Sequence, residues 1–245
     1  MHRVIPVLSL IAEDLVKTTK FKSPNYIGDP INALKIFNAK EVDEILLQDI
    51  RATKTGRSPK FELIRDIVSE AFMPIGYGGG ISNIKEIDQL FKNGVEKITL
   101  NSAAVADPNL VKLASDNYGA QSIVVSLNIK RNFFRHGYKV VSNYGENKFK
   151  GGLLDTLCKF EDLGAGEIVV NSIENDGCMS GIDIELIKLC SDRLSIPLVY
   201  VGGVGCEEDI VKSKQAGASA TGVGSFFVYK GPRKAVLISY CNPTE

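Results

Sequence analysis

Short runs dense in valine, isoleucine and leucine alternate along this chain with longer stretches whose apolar residues recur every three or four positions. Runs of the first kind, with no strict polar alternation, read as parallel strands buried on both faces. The longer stretches read as amphipathic helices covering them. The pattern predicts strands at VIPVLSL near the start, EILLQDI, PIGYGGG, VEKITLNSA, SIVVSLNIK, EIVVNSI, PLVYVGGVG and ASATGVGSF, eight in all. Helices are predicted at KFELIRDIVSEAF, NIKEIDQLFKNG, DIELIKLCSDRL and CEEDIVKSKQAG. After the fifth strand, NFFRHGYKVVSNYGENKF is expected to form a small hairpin elaborating a loop.

The second half of the pattern repeats the first at a fixed offset of 123 residues. Glu44-Ile45 returns as Glu167-Ile168, Pro74 as Pro197, Gly79-Gly80 as Gly202-Gly203, Gly94 as Gly217 and Ser102 as Ser225. Eight βα units in two similar halves predict an α/β fold, a closed (β/α)8 TIM barrel with a two-fold half-barrel repeat. An open doubly wound sheet fits the alternation nearly as well, but the repeat favours closure and no G-x-G-x-x-G turn follows the first strand. At 245 residues one barrel spanning 1–245 is expected, with no linker dividing it.

Composition narrows the classes of function. The chain carries 29 basic and 29 acidic residues, so nothing draws it broadly towards nucleic acid or a membrane surface. Its amino-terminal apolar run is broken by Pro6 and followed by Glu13 and Asp14, which excludes a signal core or a span and makes the cytoplasm the expected compartment. Five cysteines (Cys158, Cys178, Cys190, Cys206 and Cys241) without a C-x-x-C spacing are expected to be buried, reduced thiols. His2 and His136 are expected to be surface or terminal residues, and no metal or cofactor is called for.

In a barrel of this kind functional groups stand at the carboxyl ends of the strands. Gly79 and Gly80 end the third strand and Gly202 and Gly203 the seventh, where glycine lets backbone N–H groups approach an anion. Asn101-Ser102 and Gly224-Ser225 end the fourth and eighth strands and add amide and hydroxyl donors. Two symmetric phosphate sites, fitting a phosphorylated small molecule stretched across the mouth, are one reading; glycines that merely make tight turns are the other. The candidates for proton transfer are Ser9, Asp49, Asn128, Asn171 and Asp176, of which only the two aspartates titrate. Asp49 could instead be a structural acceptor and Asp176 a turn residue before Gly177. Lys17 and Lys130 follow the first and fifth strands and would bind phosphate or remain solvated.

Taken in order, RVIPVL, LVK, GDP, DEILLQDI, GGGI, EKITLNSAAV, the Lys130-Arg131 pair, GAGEI, SIENDG and GGVG resemble, over nearly the whole chain, the cyclase subunit of imidazole glycerol phosphate synthase, the HisF family. That resemblance implies a bisphosphate ligand at the mouth and a heterodimer with a glutaminase subunit at the opposite face. Ammonia from the glutaminase would pass a charged gate, for which Arg3, Glu44, Lys97 and Glu167 fall at the family positions. A structural salt-bridge layer is the other account of these four residues.

The family's catalytic acid and base are aspartates at the ends of the first and fifth strands, positions that read here as Ser9 and Asn128. Neither can do that work, since an amide does not titrate and an unassisted hydroxyl titrates far from neutrality. The loop LVKTTKFKSPNYIGDP also has more Lys and Thr than the family's glycine-containing loop. The resulting expectation is a paralogue that relays ammonia, with a separate amidotransferase, to a nucleotide sugar for surface polysaccharide. A working cyclase of histidine biosynthesis, with Asp49 or Asp176 taking over, is the alternative.

Overall fold

The computed structural model describes residues 2–132, 137–142, 147–148 and 151–244. Eight parallel strands close on themselves: Arg3–Ile11, Ile45–Asp49, Ile75–Gly78, Lys97–Leu100, Ile123–Asn132, Glu167–Ser172, Leu198–Val201 and Ala220–Val223. Each is hydrogen-bonded to the next, and the ring is completed by Arg3 opposite Ala220 and Val4 opposite Thr221. Helices follow the strands, as the pattern predicts, and further ones at Pro30–Asn38, Asn109–Tyr118 and Leu153–Asp162 complete the outer layer. The first of these is set by local chemistry: Asp29 accepts the Asn32 N–H at 2.8 Å and Pro30 occupies the first turn.

Alternation along the strands divides the apolar residues into two cores. Val4, Leu8, Leu10, Ile45, Leu47, Ile98, Val125 and Val170 face outwards against the helices. Ile5, Val7, Leu46, Val124, Val169, Val199, Val201 and Ala220 fill the barrel interior as a separate cluster. Below that interior layer lie the residues that start the strands, and above it those that end them. The period of two therefore assigns each inward residue to a floor, a middle or a mouth level.

The loop after the first strand departs from expectation. Asp14–Thr19 and Lys22–Gly28 form an antiparallel hairpin continuing the first strand, with Thr19 opposite Lys22. Its two-residue turn, Lys20-Phe21, has both φ angles positive (52° and 60°), a conformation normally given to Asn-Gly. The expected hairpin after the fifth strand is present in its described part, where Gly137–Ser142 pairs antiparallel with that strand and with Asn147–Lys148.

Two smaller expectations are corrected. His2 is buried, its Nδ1 donating to the Ala218 carbonyl at 3.0 Å and its Nε2 lying 2.9 Å from the Thr221 hydroxyl, so it ties the amino terminus to the eighth strand. Burial holds its pKa below the ordinary value. His136 lies outside the described residues. All five cysteines are free, but only Cys190 is buried; the other four are half-buried.

Candidate functional site

At the carboxyl end of the barrel a cavity of about 170 Å³ is lined by residues from all eight strand ends and the loops beyond them. Ser9, Asn128, Asn171, Asp49 and Asp176 all reach it, as do Lys17, Gly79, Asn101, Ser102, Gly202, Gly203, Gly224 and Ser225. Two candidates do not. Gly80 spends its N–H on the Thr53 hydroxyl at 3.3 Å, and Lys130 is exposed on the fifth strand where it runs out opposite Lys139, away from the cavity.

The two glycine turns are related by the half-barrel repeat in conformation as well as sequence. Gly79 and Gly202 have φ of 113° and 122°, and Gly80 and Gly203 have 74° and 89°. A Cβ on Gly79 would stand 2.3 Å from the Asp49 carbonyl oxygen, and one on Gly203 would stand 2.0 Å from that of Gly181. These glycines are thus demanded by the backbone itself, whatever the cavity holds. Beside them, Asn101 and Gly224 share an unusual conformation (ψ −87° and −90°) that turns the chain into the short helices Ser102–Ala106 and Ser225–Val228. With so few turns their dipoles are small, and any anion there would be held by amides and hydroxyls.

Between the turns the cavity is lined mainly by uncharged polar side chains. Asn171 Nδ2 donates to the Ser126 hydroxyl at 2.8 Å and to Asn128 Oδ1 at 3.3 Å. Thr99 is 4% exposed and its hydroxyl has no hydrogen-bond partner among the described residues. Ser126 and Thr99, with Gln48 and Thr53, were not singled out from the sequence. The signal for two of them was available, because each lies two residues before a chosen residue, Asn128 or Asn101, on the same inward face.

Among the described residues three charged side chains line the cavity, and they differ in what they are free to do. Asp49 Oδ1 accepts the N–H groups of Arg51 and Ala52 at 3.0 and 2.9 Å, and Oδ2 lies 3.5 Å from the Arg57 guanidinium. It anchors the loop after the second strand. Asp176 accepts from the Thr18 hydroxyl and the Phe21 N–H, each at 3.2 Å, while its carbonyl accepts from Lys20 N–H at 2.9 Å. Burial raises its pKa, against the pull of those hydrogen bonds and of Lys17. Asp176 therefore pins the turn of the hairpin onto the loop after the sixth strand, so the hairpin stands over the mouth.

Lys17 is buried beside Gly224, its ammonium donating to the Val7 carbonyl. Burial lowers its pKa from 10.5 to about 8, with Asp176 acting in the opposite sense. Between these values the unfolded chain holds more protons on this group than the folded one, so stability gains as pH rises through the window. The cost of charging is fully present below pH 8, at up to about 3 kcal/mol. Lys17→Met is expected to exceed the parent in stability below pH 8 and to lose that advantage towards pH 10.5. Urea unfolding at stepped pH checks this, and equal pH slopes for the two proteins would refute it.

At the opposite end, the floor carries a closed ring of ion pairs. Glu44 Oε2 lies 2.6 Å from Arg3 and 2.8 Å from Lys97, and Glu167 pairs with Arg3 through Oε1 and with Lys97 through Oε2 at 3.2 Å. Both carboxylates are buried, and the two cations keep about a quarter of their side-chain surface. The four residues named from the sequence are thus brought together into one neutral unit. Directly above lies the apolar interior, headed by Ile5, Leu46, Val124 and Val169.

A family model described as histidine biosynthesis protein matches residues 3–232. A relative from Vibrio vulnificus (strain YJ016), provisionally named imidazole glycerol phosphate synthase subunit hisF3, is 43% identical over 247 residues, covering 99% of this chain and 94% of its own length. One from Pseudomonas aeruginosa PAO1, provisionally named subunit hisF2, is 42% identical over 240 residues (98% and 95%). The imidazole glycerol phosphate synthase subunit HisF of Dictyoglomus turgidum is 35% identical over 232 residues (92% and 89%).

Proposed function

Because the chain belongs to the histidine biosynthesis protein family, among the HisF-type subunits of imidazole glycerol phosphate synthase, we propose that it accepts ammonia from a glutaminase subunit at its floor and relays it to the mouth without closing an imidazole ring. The observation that carries this reading is the contrast between the two ends. The ring of Arg3, Glu44, Lys97 and Glu167 is complete, while the mouth has Ser9 and Asn128 where the family's acid and base would stand.

Physical chemistry supports the direction and form of the transfer. An apolar layer between ring and cavity resists the passage of ammonium, whose desolvation costs many kcal/mol, and favours neutral ammonia. Ammonia then enters a collar of hydroxyls and amides, among them Ser126, Asn128, Asn171 and the unpartnered Thr99 hydroxyl, none of which protonates it. The paired glycine turns would hold the phosphates of a small-molecule ligand across this collar. A final amidation, by a third protein, of a nucleotide sugar destined for surface polysaccharide fits a subunit of this kind.

A working cyclase of histidine biosynthesis is the second reading, and one observation favours it: Asp176 and Lys17 both titrate closer to neutrality than usual at the mouth. The two readings part in one assay. The purified chain, mixed with ammonium and the bisphosphate substrate of the cyclase, is expected to give no ring closure above background while still binding the bisphosphate. Turnover at the rate of ordinary HisF subunits would remove the relay reading and return acid–base duty to a carboxylate at the mouth, Asp49 or Asp176.

A further inference from the structure

The half-barrel repeat supplies an internal comparison for the floor. At the offset of 123, Asn38 corresponds to Glu161 and Phe72 to Ser195. Both positions brace the loop that leads into the next strand. Asn38 Oδ1 accepts the Phe72 N–H at 3.1 Å and its Nδ2 donates to the Glu70 carbonyl at 2.7 Å; Glu161 accepts the Ser195 N–H at 2.9 Å.

What the two braced loops display is different. The Ser195 hydroxyl turns back onto Glu161, whereas the Phe72 ring is 87% exposed, more than any other large apolar side chain among the described residues. Phe72 stands two residues before Pro74, whose carbonyl accepts the Ile45 N–H at 3.0 Å, next to the gate carboxylate Glu44. The loops entering the neighbouring strands place half-buried Asp43 and exposed Glu96 beside Glu44 and Lys97, and exposed Glu70, 3.9 Å from the Lys35 ammonium, belongs to the Phe72 loop itself. At the equivalent positions the second half has Gly166, Ser219 and Arg193. One half of the floor thus presents an exposed phenyl ring beside Glu70 and Glu96, and the other has neither that ring nor a carboxylate at those positions.

We infer that the subunit supplying ammonia docks asymmetrically, on the first-half side of the floor, receiving Phe72 in an apolar pocket whose own rim is cationic. This rests on the reading that such a subunit seats over the gate. An aromatic anchor on a loop already held by side-chain hydrogen bonds loses little freedom on binding, and such anchors dominate interface energies. The exposed carboxylates beside it, Glu70 and Glu96, set orientation and association rate more than affinity, and their effect is screened by salt. Leaning to one side also lets the partner reach the ring at Glu44 and Lys97 first.

The test titrates the chain into synthase-type glutaminase subunits from its own source and follows the stimulation of glutamine hydrolysis at two ionic strengths. Phe72→Ala is expected to raise the half-saturating concentration about thirtyfold or more, with little change in thermal stability because the residue is 87% exposed. Glu96→Gln should cost less and flatten the salt dependence, and Ser195→Arg, across the floor, should have no effect. Saturation of Phe72→Ala at the parent's concentration, or an equal loss from Ser195→Arg, would overturn the inference while leaving the relay intact. If the parent stimulates no glutaminase, relay and anchor fall together. Sedimentation of the chain alone covers the remaining occupant: self-association abolished by Phe72→Ala would assign the surface to a second copy instead.

Discussion

Introducing Ser9→Asp and Asn128→Asp together is expected to raise ammonium-dependent cyclase turnover far above that of the parent. General acid–base catalysis contributes on the order of 10² to 10⁴ for each group, so the pair should act far beyond the sum of the single variants. The fold is prepared for the change at position 128. Asn171 Nδ2 already donates to the Asn128 side-chain oxygen, and a carboxylate there would accept the same hydrogen bond. Position 9 is half-buried at the cavity edge, opposite Val16 of the hairpin and Gln48 of the second strand, so a carboxylate there is not sealed from water. Steady-state turnover with ammonium and the bisphosphate measures the effect. An inert double variant that still binds the bisphosphate would mean that the mouth has been rebuilt beyond its acid and base.

The second large effect is expected at the floor. Each carboxylate of the ring serves both cations, so Glu167→Ala leaves Arg3 and Lys97 sharing Glu44 alone, with one positive charge uncompensated in a largely buried setting. Breaking a fully buried ion pair from one side costs about 3–5 kcal/mol, and the partial exposure of the cations reduces the expected loss to about 2–3 kcal/mol in urea unfolding. Lys97→Ala and Arg3→Ala separate the ring's two roles. In the reconstituted complex they should lower glutamine-dependent product formation and spare the ammonium-dependent reaction. Equal losses in both assays would make the ring a structural layer and nothing more.

Much of the site was legible from sequence because duplication and strand alternation are both local, countable properties. The offset of 123 located the two glycine turns, and the turns prove to share conformation (φ 113° and 122° at Gly79 and Gly202) because the same backbone crossing recurs in each half. The carboxyl-end rule gathered Ser9, Asn128, Asn171, Asp49 and Asp176 into one cavity. It failed for Lys130, since the fifth strand runs on to Asn132 and carries that residue past the rim. It also could not rank Asp49 against Asp176. Both end a strand or begin a loop, but only the structure shows that Asp49 is engaged by two N–H groups and Arg57, while Asp176 is buried against the hairpin.

Sequence by itself determined the closed eight-stranded barrel and its two-fold repeat, because each follows from residue type at a fixed period, while the resemblance to the HisF family pointed to the four floor residues and to Ser9 and Asn128 at the mouth. The tertiary structure alone decided what covers the mouth. Lys20-Phe21 carries no turn signal, and two non-glycine residues at positive φ together cost roughly 2 kcal/mol or more. That cost is met by contacts 155 residues away in sequence, where Asp176 accepts the Phe21 N–H. The same closure buries Lys17 and moves its pKa to about 8, which a sequence read locally gives no reason to expect. A long-range hydrogen bond and a loss of solvent are properties of the closed barrel, so they exist only once strands from both halves have met.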